Sequence, residues 1–115
     1  MSNVLPVTAE TFRAEVLESP IPVVVDLYAT WCAPCRMLAP VLERLAAELA
    51  GRVKFVKVDT DDQPELAEAF NVSSIPMLAL MKEGRVLDVS VGLVSPDQIR
   101  QMASKALPAV ETVRR

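Results

Sequence analysis

From Pro22 to Tyr28 every residue except Asp26 is apolar or aromatic, and three consecutive valines lie at its centre. A strand without polar alternation is covered on both faces. The chain must therefore fold with helices above and below this segment, and its flanks supply them, because helix and strand signals alternate in a βα rhythm. Asn3 to Val7 predicts a short first strand. Thr8 is a plausible N-cap for a first helix whose stripe is Phe12, Val16 and Leu17, ending before Ser19-Pro20. From Pro34 the apolar period becomes helical, through Leu38, Val41, Leu42, Leu45 and Leu49, closed by Gly51. Met37, Leu38 and Val41 are expected in the core. Pro40 falls inside this helix, where it should kink it.

Val53 to Asp59 predicts another strand, with Phe55 among valines. Asp61 and Asp62 stand ahead of Pro64, a good first-turn proline, so Glu65 to Phe70 is expected as a short helix. Met77 to Met81 and Arg85 to Val91 form an antiparallel hairpin across Lys82-Glu83-Gly84, and alternation in its second strand implies one wet face. Ser95-Pro96-Asp97-Gln98 is a capping box opening a last helix to about Leu107. The expected architecture is α/β, in the order β-α-β-α-β-α-β-β-α. It comprises a mixed sheet of about five strands, about four flanking helices, one domain over residues 1–107, and a tail over 108–115.

Composition removes several function classes. The chain has 115 residues and no histidine, which excludes Ser-His-Asp and Cys-His catalysis and every imidazole zinc site. Twelve basic residues against fifteen acidic ones, with no basic run beyond Arg114-Arg115, argue against a nucleic-acid partner. The longest uncharged stretch, Ala69 to Met81, is too short to span a bilayer. The first cation, Arg13, follows Glu10 and precedes no signal-like apolar segment, so the cytoplasm is the expected location.

Cys32 and Cys35 are the only cysteines. As a staple the pair would be poor, since closing about four residues contributes only about 2 kcal/mol in the chain-entropy model, against about 4.7 for about 100 residues. Zinc needs four ligands, and the chain lacks them unless two chains share a site. Unreactive structural thiols are the other alternative. Reversible dithiol–disulfide chemistry suits the spacing best, because Cys32 lies where the Asp26 strand meets a helix N-terminus. A thiol of pKa about 8.5 is roughly 3% ionised at pH 7, and one brought to about 7 is half ionised. Cys35, one turn further in, is expected to be less exposed, and Pro34 stiffens the connection.

Trp31-Cys32-Ala33-Pro34-Cys35 resembles the active-site motif of the thioredoxin family. Further matches follow in order: Asp26, Ala29, Pro40, Lys57-Val58-Asp59, Ile75-Pro76, the Lys82-to-Gly84 turn and Val91-Gly92. The resemblance extends from about Val4 to Leu107 and implies the thioredoxin fold and protein disulfide reduction. By that resemblance Cys32 attacks a substrate disulfide and Cys35 resolves the mixed disulfide, leaving a redox-active Cys32–Cys35 disulfide. No bound cofactor is implied. Reducing equivalents come from NADPH through a flavoprotein, thioredoxin reductase, which with disulfide-containing proteins makes up the expected partners. A monomer is expected. The competing readings are an oxidase or isomerase of the same fold and a non-catalytic scaffold.

Asp26, in an otherwise apolar strand, should be buried, with its pKa raised by desolvation. The resemblance places it beneath the cysteines, helping to deprotonate Cys35, with Lys57 modulating it. The alternatives are a carboxylate serving a local polar group and an ordinary strand-end lysine. Ile75-Pro76 fits a turn or a cis bond, and the resemblance implies the cis form facing the cysteines. It also implies that Ile75 offers its backbone to an extended substrate, while Trp31, Ala33, Pro34 and Gly92 complete a docking surface. A core role for Trp31 is the alternative. Four features depart from the family pattern. Ala33 replaces a common glycine, Met77 a common threonine and Tyr28 a frequent tryptophan, and Ser73-Ser74 stand where basic or glycine residues are common.

Overall fold

In a computed structural model, residues 2–108 are described. Five strands form one sheet in the order β1-β3-β2-β4-β5. They are β1 (Leu5–Pro6), β2 (Val23–Tyr28), β3 (Lys54–Asp59), β4 (Met77–Lys82) and β5 (Arg85–Val91). The first three run parallel to one another, and β4 and β5 are antiparallel to their neighbours. The helices α1 (Ala33–Glu48), α2 (Pro64–Ala69) and α3 (Pro96–Ser104) complete the order. β2, the segment without alternation, is central, and Val23 to Leu27 are buried. Val24, Leu78 and Leu80 pack with Leu38, Leu42, Leu45 and Ile99 on the α1–α3 side. Val23, Val25 and Leu27 pack with Val16, Val56, Val58 and Leu66 on the other.

Several expectations are corrected. In place of a first helix from Thr8 there is a π-helical segment, Arg13–Leu17, preceded by a turn in which Thr11 N–H donates to Thr8 O. A wider turn of about 4.4 residues brings Phe12, Val16 and Leu17 onto one face, where they pack as a stripe, and Phe12 meets Phe70 edge-on at 5.8 Å. Among the described residues the sheet is thus flanked by three α-helices and one π-helical segment. The short helix expected over Glu65 to Phe70 is α2, Pro64–Ala69, with Gln63 as its N-cap and Pro64 opening it as expected. The capping box of α3 is present, but α3 ends at Ser104, and Ala106 and Leu107 close with tighter i−3 bonds. Met37 is 61% exposed, because it lies about 100° around α1 from Leu38. The wet face of β5 is the apolar one. Val86, Leu87, Val89 and Val91 are exposed while Asp88 and Ser90 are half-buried, because β5 is an edge strand and Lys105 of the α3 end draws Asp88 inward. The expected tail lies, from residue 109, outside the described residues.

Candidate active site

The C-terminal end of β2 delivers the chain to α1 through Ala29 and Trp31. Cys32 is the N-cap of α1, in extended conformation, and Cys35 N–H donates to its Sγ at 3.3 Å. The first turn of a helix leaves such N–H groups unpaired, so a sulfur placed there receives both a hydrogen bond and the positive end of the dipole. Cys32 and Cys35 form a disulfide with Cα atoms 5.3 Å apart. Ala33 and Pro34 are exposed at its outer edge.

Both cysteines are 5% exposed, so the expected difference in exposure is absent. What separates them is the direction each faces. Cys32 Sγ lies 3.9 Å from Ile75 O. That approach can carry an S–H···O hydrogen bond only after reduction, since a disulfide sulfur has no proton. Cys35 instead lines an inner cleft of about 250 Å³ with Asp26, Tyr28, Ala29, Thr30, Arg36, Ala39 and Lys57. Ile75–Pro76 is cis, Pro76 is buried, and Gly92 N–H donates to Pro76 O at 2.8 Å. Gly92, with φ of 95°, thereby borders the same loop. Trp31 is 67% exposed, which rules out a core role, and its Nε1 donates to Asp61 Oδ2 at 2.9 Å.

Asp26 is buried on β2 opposite Lys57 of β3. Burial pushes its pKa up to about 7, and the positive charge of Lys57 offsets part of that rise. Among the described residues Asp26 Oδ1 is the buried side-chain polar atom left without a hydrogen bond. A carboxyl with an unpaired oxygen in a cleft that Cys35 also lines can hold and release a proton within that cleft. Asp61, Arg36 and Tyr28 were not singled out as site residues from the sequence. Arg36 Nη1 donates to Thr30 O at 2.8 Å, and nothing in the linear chain links Asp61 to a tryptophan thirty residues earlier. Among the described residues no group of three or more His, Cys, Asp or Glu side chains is placed to hold a metal ion, and no helix is long and apolar enough to cross a membrane.

A two-cysteine disulfide at a helix N-terminus, facing a cis-proline loop and backed by a buried carboxyl, is a constellation with relatives. The thioredoxin family model matches residues 3–105. Thioredoxin 1 of Nostoc sp. is 44% identical over 107 residues, covering 93% of this chain and 100% of its own. Thioredoxin 1 of Synechococcus elongatus is 45% identical over 107 residues, with the same coverage of 93% and 100%. Thioredoxin of Haemophilus influenzae is 44% identical over 99 residues, 86% of this chain and 92% of its own. The chain belongs to the thioredoxin family. Its activity is thiol–disulfide exchange, and as a thioredoxin it is a protein-disulfide reductase. Thioredoxins bind no cofactor themselves, and the redox disulfide is present here.

Proposed function

We propose that Cys32 is the attacking sulfur and Cys35 the resolving one. The observation that carries this is the opposite facing of the two sulfurs, Cys32 toward the Ile75 carbonyl and Cys35 toward the Asp26 cleft. The Cys32 thiolate attacks one sulfur of a substrate disulfide, forming a mixed disulfide and releasing the other sulfur as a thiolate. Cys35 then gives its proton to the ionised Asp26 carboxylate and attacks Cys32 Sγ. The Cys32–substrate bond breaks, the second substrate thiolate leaves, and two electrons have passed from the cysteine pair to the substrate. Lys57 favours the ionised form of Asp26. Trp31, Ala33, Pro34, Ile75, Pro76 and Gly92 form the docking surface, with the Ile75 backbone available to an extended peptide in the manner of an added strand.

The pair is recharged by two electrons from a flavoprotein thioredoxin reductase that draws on NADPH, and the substrates are proteins carrying accessible disulfides. A reductant of this kind belongs to a reducing compartment, which supports a cytoplasmic location. A single chain supplies both sulfurs and the whole docking surface, which supports a working monomer. Trapping tests the roles: Cys35→Ser accumulates a covalent complex with a disulfide substrate through Cys32, and Cys32→Ser does not. Equal trapping by both variants removes the assignment.

A further inference from the structure

Lys57 stands opposite Asp26 in the sheet register, and both line one cleft, yet among the described residues no ion pair joins the two. Strand periodicity explains what surrounds them. Residues two apart share a face, so Asp26 and Tyr28 on β2 stand beside Lys57 and Asp59 on β3, with Tyr28 and Asp59 also register partners. The Lys57 ammonium lies over the Tyr28 ring, 5.9 Å from its centroid. A lysine stem is long enough to reach a carboxylate one strand away, so the position of this ammonium is a choice between two attractive groups. We propose that Tyr28 is a positioning residue of the site: its ring holds the Lys57 ammonium and thereby denies Asp26 an ion pair.

The other charges around the cleft leave this competition intact. Asp59 Oδ1 accepts from the Asp61 and Asp62 N–H groups, and Asp61 also accepts from Trp31. Arg36 of α1 is tied to Thr30 O. Glu43, further along α1, also feels the Lys57 charge, but less than it feels the Ser2 hydroxyl and the Asn3 N–H that hold it. Cys35 carries no charge in the disulfide, and β4 presents only Leu78 opposite Asp26. A cation over an aromatic face gains from the ring quadrupole, and that gain sets the scale of what Asp26 forgoes.

The test is the ionisation midpoint of Asp26, read from its carboxyl carbon resonance in the oxidised full chain. Tyr28→Leu removes the ring and is expected to lower the midpoint by on the order of half a pH unit. Tyr28→Phe keeps the ring and leaves the midpoint in place. In a Lys57→Met background Tyr28→Leu causes no further drop. An unchanged midpoint in Tyr28→Leu, an equal drop in Tyr28→Phe, or a drop that persists without Lys57 each overturns the inference. The unmodified chain provides a check that needs no variant to fold, because ring current should move the Lys57 ε-methylene protons upfield, and their absence there overturns it as well. The inference rests on the proton-transfer reading of Asp26 only for its effect on rate. A midpoint that shifts as expected while the pH–rate profile ignores Asp26 would reject that reading and leave the role of Tyr28 standing.

Discussion

Cys35 and Asp26 share one cleft, although Cys35 lies in the first turn of a helix and Asp26 is buried in the central strand. The carboxyl has an oxygen with no hydrogen-bond partner, and the sulfur must lose a proton in each turnover. Fold and chemistry meet at that pair, because burying Asp26 raises its proton affinity into the range where a thiol can use it.

Burial of Asp26 costs stability in a pH-dependent way. Its carboxyl ionises near 3.8 in the unfolded chain and at about 7 in the folded one. Between those values the folded state keeps a proton that the unfolded state has released, so stability falls as pH rises through the window. By pH 8 the loss is on the order of 4 kcal/mol. Asp26→Asn, which stays neutral, should therefore gain on the parent from pH 4 to about pH 7 and level off by pH 8 in denaturant unfolding of the oxidised proteins. A gap that does not change with pH would contradict this.

The same carboxyl should mark the rate of disulfide reduction. The proposed transfer from Cys35 to ionised Asp26 predicts that the resolving step rises with pH through about 7. Asp26→Asn should lose that inflection and run slower at pH 8 by on the order of ten- to a hundredfold. Single-turnover reduction of a protein disulfide followed from pH 5 to 9 measures both. A profile identical in the two proteins would remove Asp26 from proton transfer.

Ala33 between the cysteines is expected to leave the pair a reductant. Equilibration in defined thiol buffers, read by mass after alkylation, should place the midpoint near the value of about −270 mV established for thioredoxin, well below the roughly −180 mV of protein disulfide isomerase. A result at the upper value would make this chain an oxidant on a reductant's scaffold.

At the β4–β5 hairpin, Glu83 and Gly84 both have positive φ, 55° and 77°, the primed turn that suits strand twist. A Cβ on Gly84 would meet only Leu17 O at an ordinary 3.8 Å, so crowding contributes nothing. Gly84→Ala should cost about 1 kcal/mol from conformation alone, seen as a lower unfolding midpoint with unchanged denaturant slope. No loss would mean the turn readily takes another shape.

Local chemistry was legible where it acts over a few residues. The unalternating Val23–Leu27 run specified a strand covered on both sides, Ser95 and Gln98 their capping box, and Cys32-Ala33-Pro34-Cys35 a dithiol at a helix start. Period alone could not say that Met37 turns outward, that Arg13–Leu17 winds as a π-helix, or that β5 shows its valines to solvent, since each depends on what packs alongside. The sequence by itself pointed to redox chemistry, because two cysteines three residues apart at a helix start, without histidine, suit a reversible thiol pair best. Only the tertiary structure decided which sulfur faces Ile75 and which faces Asp26, and that Lys57 lies over Tyr28, because those relations join strands and helices distant in the chain through the register of one sheet.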